Sequence, residues 1–194
     1  RGLGDVYKRQ QLTAEEIRLF ARTGTGVAHC PCSNMRLASG IAPVRAMLDA
    51  GMKVGLGVDG SASSDSGHML NEARQTMLLQ RVNQGGNAMS AREALATATR
   101  GGASVLGRDD IGMLAPGMAA DIACFDRRSI DFAGSDWDML ASLLFCGPTK
   151  ASHTITNGRI VVAEGQLASM DMDRLLINHR RMVHNLMVKA GHAS

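Results

Sequence analysis

One carboxylate stands out by its surroundings. In Gly51-Met-Lys-Val-Gly-Leu-Gly-Val-Asp-Gly-Ser-Ala-Ser-Ser-Asp65 a short apolar run stops at Asp59 and gives way to small, flexible residues. In a barrel of alternating strands and helices, a strand of this kind presents its last residue at the open carboxyl end, where a divalent metal can be held. The same residues also suit a strand followed by an ordinary Asp-Gly turn. Upstream, Gly24-Thr-Gly-Val-Ala-His-Cys-Pro-Cys-Ser-Asn-Met-Arg-Leu-Ala-Ser-Gly40 brings His29 to the end of a second strand. Asn34, Ser61 and Ser63 lie on the loops after the two strands. They are candidate donors to a substrate or to the surroundings of a metal ligand, and equally candidates for stabilising turns through side-chain to backbone bonds.

The elements that must carry these residues are legible from period and punctuation. Val27 and Ala28 begin a buried strand that ends on His29, and Val54 to Val58 make the second. A helix of crossover length lies between them, with Pro43 in its first turn, Val44, Met47 and Leu48 on one face and Gly51 at its end, so the strands are expected to be parallel. Thr13-x-x-Glu16 and Ser90-x-x-Glu93 are capping boxes. The first opens a helix to about Arg22; the second opens one through Leu95, Ala98 and Thr99, with a break or bend expected at Gly101-Gly102. From His68 to Val82, the residues Met69, Leu70, Ala73, Met77, Leu78 and Val82 form an apolar stripe at helical spacing. Shorter strands follow. Asp121 to Phe125 is one, and Ile155-Thr-Asn-Gly-Arg-Ile-Val-Val162 is a hairpin whose Asn-Gly suits a type I′ turn. Beyond Asp171, a long helix carries Leu175, Leu176, His179, Val183, Leu186 and Met187 on one face. The pattern is α/β.

Composition sets the remaining bounds. A chain of 194 residues with 45% apolar content can bury a core, and with 3% aromatic residues and 13 methionines that core must be aliphatic and adaptable. The net charge of +3 is small and its basic residues are scattered, which does not support nucleic-acid binding. No apolar run approaches the roughly 20 residues that cross a bilayer, and nothing resembles a signal peptide, so a cytoplasmic protein is the expectation. Cys30 and Cys32 have one residue between them rather than the spacing of structural zinc sites, and free thiols suit them, Cys124 and Cys146 better. His68, His153, His179, His184 and His192 are assigned to structure or surface; the 179 and 184 pair does not share a helical face.

The paired strand ends, His29-Cys-Pro-Cys-Ser-Asn34 and Gly57-Val-Asp-Gly60, resemble the last two barrel strands of the amidohydrolase superfamily, in the branch of cytosine, guanine and triazine deaminases and chlorohydrolases. The likeness runs on through Glu72-Ala-Arg-Gln75, Ala98-Thr-Arg-Gly101 and Gly112-Met-Leu-Ala-Pro-Gly-Met-Ala-Ala-Asp121 to Val161. Within the branch, the stretch from Phe132 to Gly147 and the context of Leu56 to Ser64 look most like 8-oxoguanine deaminases.

This resemblance implies the carboxy-terminal portion of a (β/α)8 amidohydrolase barrel, strands seven and eight in residues 11–108. It further implies a partial β-sandwich with a helical insertion in 109–168 and a terminal helix in 169–194. Members hold zinc with a His-x-His pair, a further His and the Asp of the eighth strand. No His-x-His occurs in this sequence, so the expectation is a fragment contributing one ligand, Asp59, to one divalent metal. Residues 1–10 carry no matching pattern and look like an adapter-derived lead. The implied activity is hydrolytic deamination of an amino-purine, 8-oxoguanine to urate and ammonia, with Asp59 as ligand and proton acceptor. A triazine hydrolase, a guanine or cytosine deaminase, and an inactive fragment with only associative properties are the alternatives. The implied partner is a small purine or related N-heterocycle, with homo-oligomers possible in the full-length enzyme.

Overall fold

The computed structural model describes residues 12–64, 66–147 and 149–192; the lead at residues 1–10 lies outside them. Two compact units are present. One runs to Met118 and takes in Arg127–Thr149; the other comprises Ala119–Asp126 and the residues from Lys150 onward. The segment 127–149, expected as an insertion in the β-rich part, thus clusters with the first unit, and the terminal helix clusters with the sheet.

The first unit is built on two parallel strands, β1 (Gly26–His29) and β2 (Lys53–Leu56), in a register running from Gly26 opposite Lys53 to His29 opposite Leu56. Helix α1 (Ala14–Thr23) leads into β1 and begins at the expected capping box: the Thr13 hydroxyl accepts from the Glu16 amide at 3.2 Å while the Glu16 carboxylate accepts from the Thr13 amide at 2.8 Å. Between the strands lie α2 (Pro31–Arg36), which has too few residues to show a period, and α3 (Val44–Asp49). After β2 come α4 (Met69–Gln84), α5 (Ala91–Ala96), a π-helical turn (Thr97–Gly101), α6 (Gly102–Leu106) and, from the later segment, α7 (Met139–Phe145). Val27, Val54, Val44, Met47, Met77, Met89, Ala94, Phe132 and Leu144 are buried together with Ala73. Methionine fills the space that aromatics would occupy elsewhere.

Two expectations need correction. Gly101-Gly102 does not break the helix: both residues keep helical dihedrals, and the axis passes through the π-turn without a gap. The glycines serve close approach instead, because a Cβ at Gly101 would sit 2.2 Å from the Val54 carbonyl oxygen, and one at Gly55 would meet the Gly102 backbone at 2.9 Å. The stripe on α4 also differs. Met69 and Val82 are exposed, and beside Leu70, Ala73 and Met77 the inner face carries Glu72, Thr76 and Gln80, all fully buried. The Thr76 hydroxyl donates to the Glu72 carbonyl one turn back at 2.9 Å, whereas Glu72 and Gln80 serve backbone groups outside α4. Gln80 donates to the Ala42 carbonyl at 3.0 Å and accepts from the Arg45 amide at 3.1 Å, so it brackets the entry to α3.

The second unit is an antiparallel sheet in the order β3 (Ile122–Cys124), β4 (His153–Thr156), β5 (Arg159–Ala163), β6 (Gln166–Leu167), followed by α8 (Met172–Lys189). Asn157 (φ 47°) and Gly158 (φ 77°) make the expected tight turn between β4 and β5. Glu164 and Gly165 repeat that turn before β6, a strand the sequence reading did not anticipate. The Asp121 carboxylate accepts from the Asn157 amide at 2.7 Å and so ties the hairpin tip to the chain entering β3. Among the described residues no helix is long and apolar enough to cross a membrane.

Candidate active site

Asp59 stands three residues past the end of β2, exposed, with φ 62°. That left-handed conformation is one that Asp tolerates better than most side chains, since its short polar group bonds locally. Here Asp59 Oδ1 accepts from the Gly60 amide at 2.8 Å, and Oδ2 accepts from the Ser33 hydroxyl at 2.6 Å. The Ser33 bond is the first cause holding the Asp59 carboxyl below its ordinary pKa, followed by the Gly60 amide and the nearby Ser63 hydroxyl. A carboxylate has about four lone-pair positions, so after these two bonds it retains acceptor capacity. An ionised, exposed, two-point-anchored carboxylate fits one position of a divalent metal site. Among the described residues no group of three or more His, Cys, Asp or Glu could hold a metal ion, so Asp59 belongs to no such group within them.

The other anticipated residues are placed differently from one another. His29 is 3% exposed, and its Nε2 has no hydrogen-bond partner among the described residues. Burial pushes its pKa down to about 4, so the ring is neutral at ordinary pH. Its carbonyl, not its imidazole, reaches toward the loop of Asp59, accepting from the Gly57 amide at 2.9 Å. Asn34 is buried in α2. Ser61 is exposed in the loop after Gly60. The Ser63 hydroxyl donates to the Gly60 carbonyl at 3.2 Å, which stabilises the turn that carries Asp59.

Two residues that sequence reasoning missed complete the arrangement. Ser33, 1% exposed, sits on the first turns of α2 and reaches across to Asp59 from the loop after the neighbouring strand. Glu72, fully buried on α4, accepts from the Cys32 amide at 3.1 Å and so holds α2 from below. Cys32 is further fixed by Asn71, whose amide nitrogen lies 3.3 Å from its sulfur. Burial, and after it the Glu72 carboxylate, push the Cys32 thiol up to about 12; burial, with Asp59 and Glu72 adding to it, also raises Cys30. Both thiols are therefore protonated and unreactive at neutral pH. Ser33 lies inside the His29 to Asn34 motif, but without an expected helix there its direction had no reading.

The family comparison decides what kind of chain carries this site. The amidohydrolase family model matches residues 7–161. The chain belongs to the amidohydrolase family. This amidohydrolase chain is 47% identical over 167 residues to 8-oxoguanine deaminase of Pseudomonas aeruginosa, a match covering 86% of the chain and 37% of that protein. It is 41% identical over 163 residues to 5-methylthioadenosine/S-adenosylhomocysteine deaminase of Pelotomaculum thermopropionicum, covering 83% and 37%. Among solved structures, an adenosine deaminase from Xanthomonas campestris with bound zinc superposes with TM-score 0.84 at 34% identity, over 89% of this chain and 40% of the other. Atrazine chlorohydrolase from Arthrobacter aurescens complexed with zinc gives TM-score 0.83 at 36% identity, over 90% and 39%. The amidohydrolase chain thus spans less than half the length of the relatives it matches.

Proposed function

We propose that this amidohydrolase chain supplies Asp59 as one ligand of a zinc-dependent hydrolytic deaminase whose other ligands lie on sequence outside these 194 residues. β1 and β2 would be the seventh and eighth strands of a (β/α)8 barrel, and the β3–β6 sheet part of its small β-domain. The single observation that carries the proposal is the Asp59 carboxylate, ionised, exposed past a parallel strand end, and anchored at Oδ2 by Ser33 and at Oδ1 by Gly60.

Zinc at this carboxylate supplies the Lewis acidity that makes water nucleophilic near neutral pH. Asp59 would do two things in that setting: it would hold the cation, and through a lone pair not used by Ser33 or Gly60 it would take a proton from the attacking water. Water would add to the ring carbon bearing the amino group, and as the carbon–nitrogen bond breaks the proton taken by Asp59 would pass, through groups outside these residues, to the departing nitrogen, which would leave as ammonia. Ser61 and Asn34 would serve the substrate pocket or its lining, and Ser63 the turn. His29, buried and neutral, would be a packed histidine and exchange no proton with the substrate.

The favoured substrate is 8-oxoguanine, converted to urate and ammonia, and the likeness to 8-oxoguanine deaminase at 47% identity supports it. A second reading, a triazine hydrolase, is kept because atrazine chlorohydrolase superposes as well as a purine-nucleoside deaminase does. The enzyme would act on small heterocycles in the cytoplasm, as a possible homo-oligomer, with neither nucleic acid nor membrane as partner. The deciding experiment is ammonia release by the zinc-loaded full-length protein offered 8-oxoguanine, guanine, S-adenosylhomocysteine and hydroxyatrazine. The highest kcat/KM is expected on 8-oxoguanine. Turnover confined to the triazine would overturn the substrate, and none on any amino-heterocycle would overturn the reaction class.

A further inference from the structure

An exposed carboxylate on a loop is free to rotate about two side-chain bonds, and a metal ligand that rotates freely loses entropy each time it binds. Asp59 is not free in this way. Its Oδ2 accepts at 2.6 Å from the hydroxyl of Ser33, a residue that is itself 1% exposed. The grip comes from α2, the short helix after the neighbouring strand, so it crosses from one strand end to the next and does not depend on the turn at Gly60. Behind Ser33 the support continues: the Cys32 amide donates to fully buried Glu72, and α4 thereby fixes the short helix that aims the hydroxyl. A six-residue helix has little stability of its own, so its orientation has to come from such outside bonds.

We propose that Ser33 is a positioning residue for Asp59, setting through its hydroxyl how tightly the carboxylate holds zinc and how it meets the attacking water, with Glu72 holding Ser33 in place. The inference rests on the reading of Asp59 as a zinc ligand. Hydrogen-bond partners of ligating side chains contribute about 10- to 100-fold in metal affinity or activity. Gly60 alone would leave Oδ2 unheld, and the carboxylate would sample orientations that neither bind the cation nor face the substrate.

The test uses zinc-loaded full-length protein with Ser33→Ala, Ser33→Thr and Asp59→Ala, reading zinc loss to a chelator, steady-state kinetics and melting of the metal-free protein. For Ser33→Ala, zinc should leave about tenfold faster and kcat should fall about 10- to 100-fold, with KM within about threefold of the parent. Ser33→Thr, which keeps the hydroxyl, should recover most of both. Melting of the metal-free Ser33→Ala protein should stay near that of the parent, since alanine suits a helix and removes one oxygen only. Unchanged zinc retention and kcat in Ser33→Ala, equal losses in the Ala and Thr variants, or a matching collapse in metal-free melting would each overturn the positioning role. Asp59→Ala separates the two levels. If it loses zinc while Ser33→Ala does not, only the positioning role fails; if it keeps zinc and turnover, the ligand reading fails first.

Discussion

At the scale of single residues, burial decides which polar groups can act. Asp59 stays ionised because it is exposed and accepts hydrogen bonds, whereas His29 stays neutral because it is sealed away with one nitrogen unpartnered. The His29 environment has a consequence for stability. Its folded pKa, about 4, lies below the 6.5 of an exposed imidazole, so between these values the unfolded chain takes up a proton that the folded chain refuses. The contribution is fully favourable above pH 6.5 and is lost as pH falls toward 4. Urea unfolding at pH 7 and pH 4.5 should show a drop on the order of 1–3 kcal/mol that is absent from His29→Gln. An identical drop in both proteins would mean that other groups produce it. The sequence pointed to Asp59 among the acids because an apolar run ending on a carboxylate is a local pattern, and the same pattern also suits a strand followed by a turn. It could not tell that Ser33, rather than His29 or Asn34, makes the contact, since that bond joins α2 to the loop after β2, whose approach depends on the parallel register of β1 and β2.

At the scale of elements, the capping boxes at Thr13 and Ser90 and the Asn157-Gly158 hairpin were legible because each is complete within a few consecutive residues. The inner face of α4 was not. Apolar periodicity marks Met69 and Val82 as core, yet the helix turns Glu72 and Gln80 inward, where they partner backbone groups that no apolar side chain can serve, with Thr76 between them bonded to its own helix. Likewise the glycine pair at 101 and 102 reads as a break when only helix propensity is considered. In three dimensions it is a contact surface against β2. Gly101→Ala would drive a methyl group into the Val54 carbonyl, and neither backbone can yield without moving a strand that leads to Asp59. A loss of about 3 kcal/mol in urea unfolding is expected, against gains of a few tenths where Gly→Ala acts only on the unfolded chain. A neutral or stabilising effect would mean that the helix and strand are not held at this distance.

At the scale of the whole molecule, one unit carries the two strand ends and the other a four-stranded sheet followed by a helix whose apolar side chains Leu175, Leu176, Val183 and Met187 are all at least two-fifths exposed. The α/β alternation was legible because the strand and helix periods differ; the assignment of residues 127–149 to the first unit was not, because it depends on Phe132 and Leu144 finding a core distant in sequence. On the proposal that remaining zinc ligands lie beyond this chain, the isolated 194 residues should retain far less than one zinc per chain after gel filtration. Stoichiometric zinc in the isolated chain would contradict that division of the site. The central claim is the ligand role of Asp59, and zinc content of the full-length protein measures it directly. Elemental analysis should find about one zinc per parent protomer and a near-complete loss in Asp59→Ala, with the circular dichroism spectrum unchanged. A folded Asp59→Ala protein that keeps its zinc would contradict the account.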